Sequence, residues 1–234
     1  LPPVVSVLHA CLAQGFFCIV VVLALATSKG FVARRPAELP GEGAPPLWVL
    51  GAAATGLVYA QLILGAVMRH TGAGLAIPDV PLAFGRLVPP MLSFEIAIHF
   101  AHRAGALVVA AGVVFLAGRI LRRHGGRPEL AGPARLLVFL VVVQILLGGA
   151  TVVTRLAVLP ATAHVVAGAL LLAASLVVTV RAARARLERP AAVPLKSPAS
   201  RGASPADFVE LTKPRVTSLV LVTTFAGFYL GSKG

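Results

Sequence analysis

Long apolar segments alternate along this chain with short segments that hold most of its charge. The apolar segments cover residues 4–28, 47–68, 92–118, 134–154 and 157–180, and a sixth covers 216–232. A helix crosses the hydrocarbon core of a membrane in about 20 residues, and the first five segments reach that length. Lipid does not tolerate unpaired backbone groups, and the alternation of barrel strands is missing here. We therefore predict membrane-spanning helices.

The composition supports a membrane protein. Hydrophobic residues make up 58% of the 234 residues and charged residues only 12%, and the mean hydropathy is +0.91. Soluble domains carry about 25% charged residues, so an ordinary soluble domain is excluded. The predicted fold class is all-α, a polytopic transmembrane helical bundle. It comprises a four-helix module at 47–182, one preceding helix and one truncated following helix.

Positive charge is concentrated in alternate connecting segments, and the formal net charge is +13. Sixteen Lys and Arg residues lie around 29–35, 119–135 and 181–215, whereas the intervening segments carry three. The positive-inside rule therefore predicts that the three basic segments are cytoplasmic and the N-terminus external. This alternation favours membrane lipid as a partner over a solvated basic face, and no nucleic acid is expected.

Two pairs of apolar segments repeat the same order of glutamine and histidine. Q-L-I-L-G begins at Gln61 and Q-I-L-L-G-G at Gln144; after each comes a segment in which histidine precedes Ala-Gly-Ala, at 98–107 and 163–170. This order predicts an internal duplication of a helix pair, and hence a four-helix bundle. The glutamines should face its interior, most simply as hydrogen-bonding contacts between helices.

His102 and His164 are placed by this duplication on different helices, about 15 Å and 10 Å below the helix starts. Two neutral imidazoles at comparable depth are typical of axial ligation of a haem iron. Gly105 and Gly168, about one turn beyond them, would leave room for a flat macrocycle. A hydrogen-bonded histidine pair without a cofactor is the alternative. Zinc is less favoured because no cysteine or carboxylate cluster completes a tetrahedral set.

The third apolar segment carries four ionisable side chains, Glu95, His99, His102 and Arg103. Such groups are costly within a span and are functional candidates. Positions 95, 99 and 102 share one helical face, which is predicted to point into the bundle, whereas Arg103 points toward a neighbouring helix or the external interface. His99 competes with His102 as the iron ligand, and otherwise would hydrogen-bond a propionate or tune the haem.

The segment 69–81, R-H-T-G-A-G-L-A-I-P-D-V-P, is unusually dense in glycine, proline and polar residues for a connection. Its glycines and prolines predict a turn-rich path outside the membrane. We expect this external loop to act as a lid or an acidic-group contact over the mouth of the bundle.

Four phrases in order resemble the C-terminal half of haem A synthase. They are Q-L-I-L-G-A-V-M-R-H-T-G-A-G-L-A-I-P-D-V-P (61–81), H-F-A-H-R-A-G-A (99–106), Q-I-L-L-G-G-A-T-V (144–152) and A-T-A-H-V-V-A-G (161–168). The resemblance covers about 1–182. It implies that His102 and His164 ligate a haem b, and that His9 belongs to the substrate-haem site of a preceding four-helix half, of which 1–28 is the last helix.

The family reaction implied by this resemblance oxidises a methyl group of haem O to the formyl group of haem A. Haem O is then the expected substrate, haem b the cofactor, and the plasma membrane of a bacterium the location. A redox partner of unspecified kind is expected, and association into a homo-oligomer is left open. Candidate cofactor-binding residues are His102, His164, His99 and Arg103.

Beyond Arg181 the chain changes character. Residues 183–206 are rich in Arg, Pro, Ala and Ser, which predicts a cytoplasmic linker. The phrase D-F-V-E-L-T-K-P-R at 207–215 resembles the start of protoheme IX farnesyltransferase, which implies a fusion of two consecutive enzymes. Residues 207–234 lack that family's aspartate-rich diphosphate-binding motif, so we expect this truncated segment to be inactive in farnesyl transfer.

Two further functions are compatible with the same residues. One is a di-histidine membrane cytochrome b that only carries electrons, and the other is a haem-free helical subunit with a structural role. The Thr-Gly-Ala-Gly-Leu phrase at 71–75 favours the enzyme over the electron carrier. A purified protein without a Soret band would favour the structural subunit.

Overall fold

The computed structural model describes residues 2–33, 39 and 43–187, and within them the chain is helical with short connections. The helices are α1 (Pro3–Thr27), α2 (Lys29–Ala33), α3 (Leu47–His70), α4 (Phe94–His124), α5 (Pro128–Val153) and α6 (Val158–Leu187), with one 3-10 turn at Ala73–Leu75. In this part of the chain, strand-like pairing is limited to an isolated bridge between Ala83 and Arg86. The predicted all-α class is confirmed.

Five of these helices are long and apolar enough to cross a membrane. The shortest, α3, has 24 residues, or about 36 Å at 1.5 Å per residue, against a hydrocarbon core of about 30 Å. The five predicted spans are confirmed. Helix α6 continues through Leu187 into the segment predicted as a linker. The remainder of that linker, the sixth apolar segment and the segment resembling a prenyltransferase lie outside the described residues.

Local sequence signals set several helix ends. The Ser93 side chain accepts a hydrogen bond from the Ile96 N–H and caps α4. Pro128 occupies the first turn of α5, where its missing N–H is not needed. Gly72 follows α3 with a φ of 74°, which glycine adopts without strain. Short connections between helices that pack on each other make neighbours run antiparallel, so α4 and α6 begin at the same end of the bundle, beside the loop that follows α3.

Helices α3 to α6 form the predicted four-helix bundle, because each packs against the next and α6 packs back against α3. The buried apolar side chains of α3 and α5 end at Val58 and Val141, and those of α4 and α6 begin at Val109 and Ala167. The tight core therefore occupies one half of the bundle. In the other half, most side chains of the same helices are half-buried or exposed. The helices' own side chains thus fill the interior less completely at this end.

Helix α1 lies outside this bundle and packs against α3 and α6. The Tyr59 hydroxyl donates to the Cys11 carbonyl oxygen over 2.9 Å and joins α1 to α3. The opposite face of α1 is apolar and exposed, as at Leu12 and Phe16. The assignment of α1 to a preceding four-helix module stays a prediction.

Candidate cofactor site

His102 and His164 approach each other across the loosely packed half of the bundle. His102 lies eight residues after the start of α4 and His164 six residues after the start of α6. These positions are about 12 Å and 9 Å along the helices at 1.5 Å per residue. The imidazole centres are 6.4 Å apart and the ring planes are inclined by 71°. The structure therefore brings together the two histidines that the duplication had paired.

Gln61 and Gln144 bind the histidine-bearing helices in the same way. The Nε2 atom of Gln61 donates to the carbonyl oxygen of His102 over 2.7 Å, and that of Gln144 donates to the carbonyl oxygen of His164 over 2.7 Å. The repeated order of glutamine and histidine in the sequence thus corresponds to a repeated hydrogen bond between neighbouring helices. Both glutamines face the bundle interior, as predicted. Their role as hydrogen-bonding contacts between helices is also borne out.

Two glycines that sequence reasoning had not assigned to the site lie against the imidazoles. A Cβ atom added to Gly65 would lie 3.1 Å from Cε1 of His102, and one added to Gly148 would lie 3.3 Å from Cε1 of His164. Each glycine lies four residues after a glutamine, so the repeated Q-x-x-x-G spacing is the sequence feature that could have identified both glycines as site residues. A side chain at either position would have to displace the neighbouring imidazole.

The predicted role of Gly105 and Gly168 as space for a macrocycle is wrong. A Cβ atom on Gly105 would collide with Oε1 of Gln61, and one on Gly168 would lie 3.3 Å from Nε2 of Gln144. Gly105 accommodates the Gln61 amide, and Gly168 accommodates both a methyl group of Leu62 and the Gln144 amide. The sequence placed them correctly beyond the histidines, but only helix packing determines which side chain fills the space over a glycine.

His99 lies in a different environment from His102, although both were predicted on one face. Its side chain is 2% exposed, and its Nδ1 accepts a hydrogen bond from the Ile77 N–H over 3.3 Å. His99 therefore supports the loop after α3, while His102 is the ring that approaches His164.

Arg103 holds the same loop. Its guanidinium donates to the carbonyl oxygens of Ile77, Asp79 and Leu82 over 2.9, 2.8 and 2.9 Å. The Asp79 carboxylate accepts hydrogen bonds from the N–H groups of Gly85 and Phe84, at 2.9 and 2.8 Å, and these bonds lower the pKa of Asp79 below its usual value. The loop after α3 is thus tied to α4 by a side chain that sequence reasoning had assigned to the cofactor.

The loop also reaches the far side of the bundle mouth. A Cβ atom on Gly74 would lie 3.3 Å from Leu156, and one on Gly149 would lie 3.7 Å from Val80. The loop thus contacts both α4 and the end of α5. This position agrees with the expected lid, although the lid function itself stays a prediction.

Two other candidate residues stand apart from the histidine pair. Glu95 is exposed in the first turn of α4, so the prediction that it points into the bundle is wrong. Glu95 shares the helical face of His99. It lies one turn nearer the start of α4, however, where neither the neighbouring helices nor the loop cover that face. His9 is exposed on α1, and its assignment to a substrate-haem site stays a prediction.

The donor set and the packing fit a haem better than a bare metal ion. A metal about 2 Å from one nitrogen of each ring, between the rings, would leave the ring centres roughly 6 Å apart. The observed separation of 6.4 Å matches that requirement. No group of three or more His, Cys, Asp or Glu side chains that could hold a metal is found among residues 2–33, 39 and 43–187. Two histidines without a third protein ligand in this part of the chain suit a metal whose remaining ligands belong to a bound macrocycle.

Fold and site together define a polytopic helical membrane protein in which two duplicated helix pairs each supply one histidine to a common site. A family model described as cytochrome oxidase assembly protein, COX15-CtaA, matches residues 1–176. The chain belongs to this family. The match ends before 207–234, so the resemblance of that segment to a prenyltransferase stays a prediction.

Similar proteins carry the name haem A synthase. The chain is 33% identical over 179 residues to that of Sphingopyxis alaskensis, covering 71% of this chain and 47% of that protein. It is 31% identical over 183 residues to that of Rhodospirillum centenum, covering 73% and 47%. A third, from Halalkalibacterium halodurans, is 39% identical over 97 residues, covering 41% and 32%. The chain thus spans about half or less of the length of these relatives.

Proposed function

We propose that this chain takes part in haem A biosynthesis and holds a haem b between α4 and α6, with His102 and His164 as axial ligands. The observation that carries the proposal is the 6.4 Å separation of the two imidazole centres, at the end of the bundle where the tight core stops. The names of the relatives support the pathway. A bound haem b supplies one-electron redox chemistry.

The chain's own residues contribute binding, orientation and exclusion of water. Each neutral imidazole offers one nitrogen lone pair without adding charge to an apolar interior. Gln61 and Gln144 each hold one histidine-bearing helix against the preceding helix of the bundle through the carbonyl hydrogen bonds. The loop tied down by Arg103 covers the nearby end of the bundle and limits access of water to the site.

For the protein in which this segment acts, we propose the family reaction, oxidation of a methyl group of haem O to the formyl group of haem A. Haem O is the substrate, and His9 belongs to its site. With water as the source of the oxygen atom, conversion of the methyl to the formyl group releases four electrons and four protons, and we propose that the redox partner accepts the electrons. The orientation we propose is an external N-terminus in a bacterial plasma membrane, supported by the basic ends of α4 and α6 opposite the histidine pair.

A di-histidine cytochrome b that only carries electrons would use the same ring pair. The two functions differ in whether haem O is consumed. Supplying haem O to membranes containing the chain and extracting the haems afterwards separates them. Formation of haem A supports the enzyme, and a reducible low-spin haem without any change in haem O supports the electron carrier.

The ligand assignment is tested with the full 234-residue chain produced in a host that makes haem b. We expect a low-spin reduced-minus-oxidised spectrum from the unaltered chain and from His70→Ala, a variant of an exposed histidine at the end of α3. His102→Ala and His164→Ala should lose it. An unaltered chain without haem, or a low-spin spectrum that survives both substitutions, would overturn the proposal.

A further inference from the structure

The duplicated site is not symmetric at the imidazole nitrogens. The Nε2 atom of Gln61 lies 3.1 Å from Nδ1 of His102, in addition to its bond to the His102 carbonyl oxygen. Gln144 makes the corresponding carbonyl bond, but in the described part of the chain Nδ1 of His164 is buried without a hydrogen-bond partner. One histidine therefore has a side-chain partner at its ring, and the other has none.

The contact between Gln61 and His102 depends on where the imidazole carries its proton. An amide nitrogen only donates, so in this arrangement Nδ1 of His102 accepts and the proton is on Nε2. An imidazole that ligates a metal through Nε2 carries its proton on Nδ1 instead, and that N–H normally donates to an oxygen. The contact in which Gln61 donates to Nδ1 of His102 therefore has to change when Nε2 of that ring becomes a ligand.

The oxygen needed for that change is already beside the ring. Oε1 of Gln61 is buried and has no hydrogen-bond partner in the described residues. Rotation of the amide about its terminal bond exchanges nitrogen and oxygen and turns Oε1 toward Nδ1. Because Nε2 contacts both Nδ1 and the His102 carbonyl oxygen, the rotated amide must also withdraw from that carbonyl oxygen, since two acceptor oxygens repel each other. The carbonyl oxygen, as part of α4, retains its helical hydrogen bond.

We propose that Gln61 is a positioning residue for His102: its amide follows the tautomer of the imidazole and accepts the Nδ1–H bond through Oε1 when Nε2 is a ligand. This inference rests on the proposed haem site. In the described residues no side chain meets Nδ1 of His164, so this positioning applies to His102 alone. An Nδ1–H bond to an oxygen increases the basicity of the ligating nitrogen, and Gln61 therefore increases the donor strength of His102.

A purely structural role for the glutamines makes a different prediction. Both amides bind a histidine carbonyl oxygen over 2.7 Å, so as contacts between helices they are equivalent. Gln144 is therefore a matched control. Replacing either glutamine by methionine keeps a similar length and removes the hydrogen bonds, while Gln61→Glu keeps an acceptor and strengthens it.

The experiment compares Gln61→Met, Gln61→Glu and Gln144→Met with the unaltered full chain containing haem b. The readouts are the electron paramagnetic resonance spectrum of the oxidised haem, its midpoint potential and its affinity. We expect Gln61→Met to raise the potential, to shift the resonance and to weaken haem affinity by roughly 10- to 100-fold. Gln61→Glu should lower the potential, because a carboxylate accepts more strongly. Gln144→Met loses only the contact with the His164 carbonyl oxygen, so it should shift the resonance and the potential less than Gln61→Met does.

Equal shifts in Gln61→Met and Gln144→Met, or an unchanged potential in Gln61→Glu, would overturn the inference and leave the haem site standing. If Gln61→Met does not accumulate in the membrane, the direction of the shift in Gln61→Glu decides. If the unaltered chain binds no low-spin haem at all, both the proposed function and the proposed role of Gln61 are overturned.

Discussion

His99 and Arg103, one turn apart on α4, hold opposite sides of the same peptide segment. The N–H of Ile77 donates to Nδ1 of His99, and the carbonyl oxygen of Ile77 accepts from the guanidinium of Arg103. Both backbone groups of a buried residue are therefore satisfied by side chains of one helix. The loop after α3 is thus fixed to the helix that carries His102.

Replacing His99 by alanine should destabilise the loop without removing the haem ligand. The substitution leaves the buried Ile77 N–H without its acceptor, at a cost of about 1–3 kcal/mol. We expect a lower midpoint of thermal unfolding in detergent, together with an intact low-spin spectrum. If a folded His99→Ala protein loses this spectrum while His102→Ala retains it, the iron ligand is His99, one turn earlier on α4, and not His102.

Arg103→Lys should loosen the loop after α3. A lysine ammonium cannot reproduce the planar fork that reaches three carbonyl oxygens. We expect faster protease cleavage between residues 78 and 90 in membranes, compared with the unaltered chain. Arg86→Lys, a change at an exposed position in the same loop, serves as the control. Equal cleavage rates for the two variants would show that the guanidinium contacts do not hold the loop.

The Asp79 contacts should make the loop sensitive to acid. The N–H groups of Gly85 and Phe84 lower the pKa of the Asp79 carboxyl, so its stabilising effect is complete above the ordinary aspartate pKa of about 3.9. It is lost as the pH falls through the lowered value. Hydrogen exchange at residues 84 and 85 should accelerate in acid relative to Asp79→Asn at the same pH. An identical pH dependence in both proteins would contradict this.

Gly65→Val should disturb the haem spectrum. A Cβ atom there would already lie 3.1 Å from the His102 ring, and the branched side chain forces the imidazole to move. Gly56→Val is the matched control, because it lies on the same helix and its Cβ meets no atom within 4 Å. We expect loss of haem or of the low-spin spectrum only in Gly65→Val, measured by haem extraction and difference spectroscopy.

The orientation in the membrane can be tested with single cysteines in a background that lacks Cys11 and Cys18. Leu87 is 85% exposed in the loop after α3, and Gly126 lies between α4 and α5 with open space at its Cβ. An impermeant thiol reagent should label Leu87→Cys in intact cells and Gly126→Cys only after permeabilisation. The reverse pattern would invert the proposed topology.

Much of the architecture followed from patterns that are local in the chain. The apolar lengths predicted five spans because a membrane sets the length of a helix. The repeated glutamine and histidine order predicted the bundle and paired His102 with His164 across nonadjacent helices, because a duplicated helix pair repeats its contacts. None of these inferences required knowing how far apart two side chains are.

Choosing between His99 and His102 required the tertiary structure. The residues are three apart, so helical periodicity places them on nearly the same face, and either ring suits a metal. The fold distinguishes them because the loop at 73–79 packs over His99 and hydrogen-bonds its ring. His102 lies deeper in the bundle, where its ring approaches that of His164. That outcome depends on contacts between residues more than 20 positions apart.

The sequence by itself determined the membrane class, the number of spans in the described chain and the residue types available to the site. Tertiary structure alone decided that Gly65 and Gly148 flank the imidazoles, that Arg103 ties down the loop, and that Gln61 meets a ring nitrogen while Gln144 does not. The physical reason is that periodicity specifies the face of a helix, but the depth and rotation of its neighbours specify what that face touches.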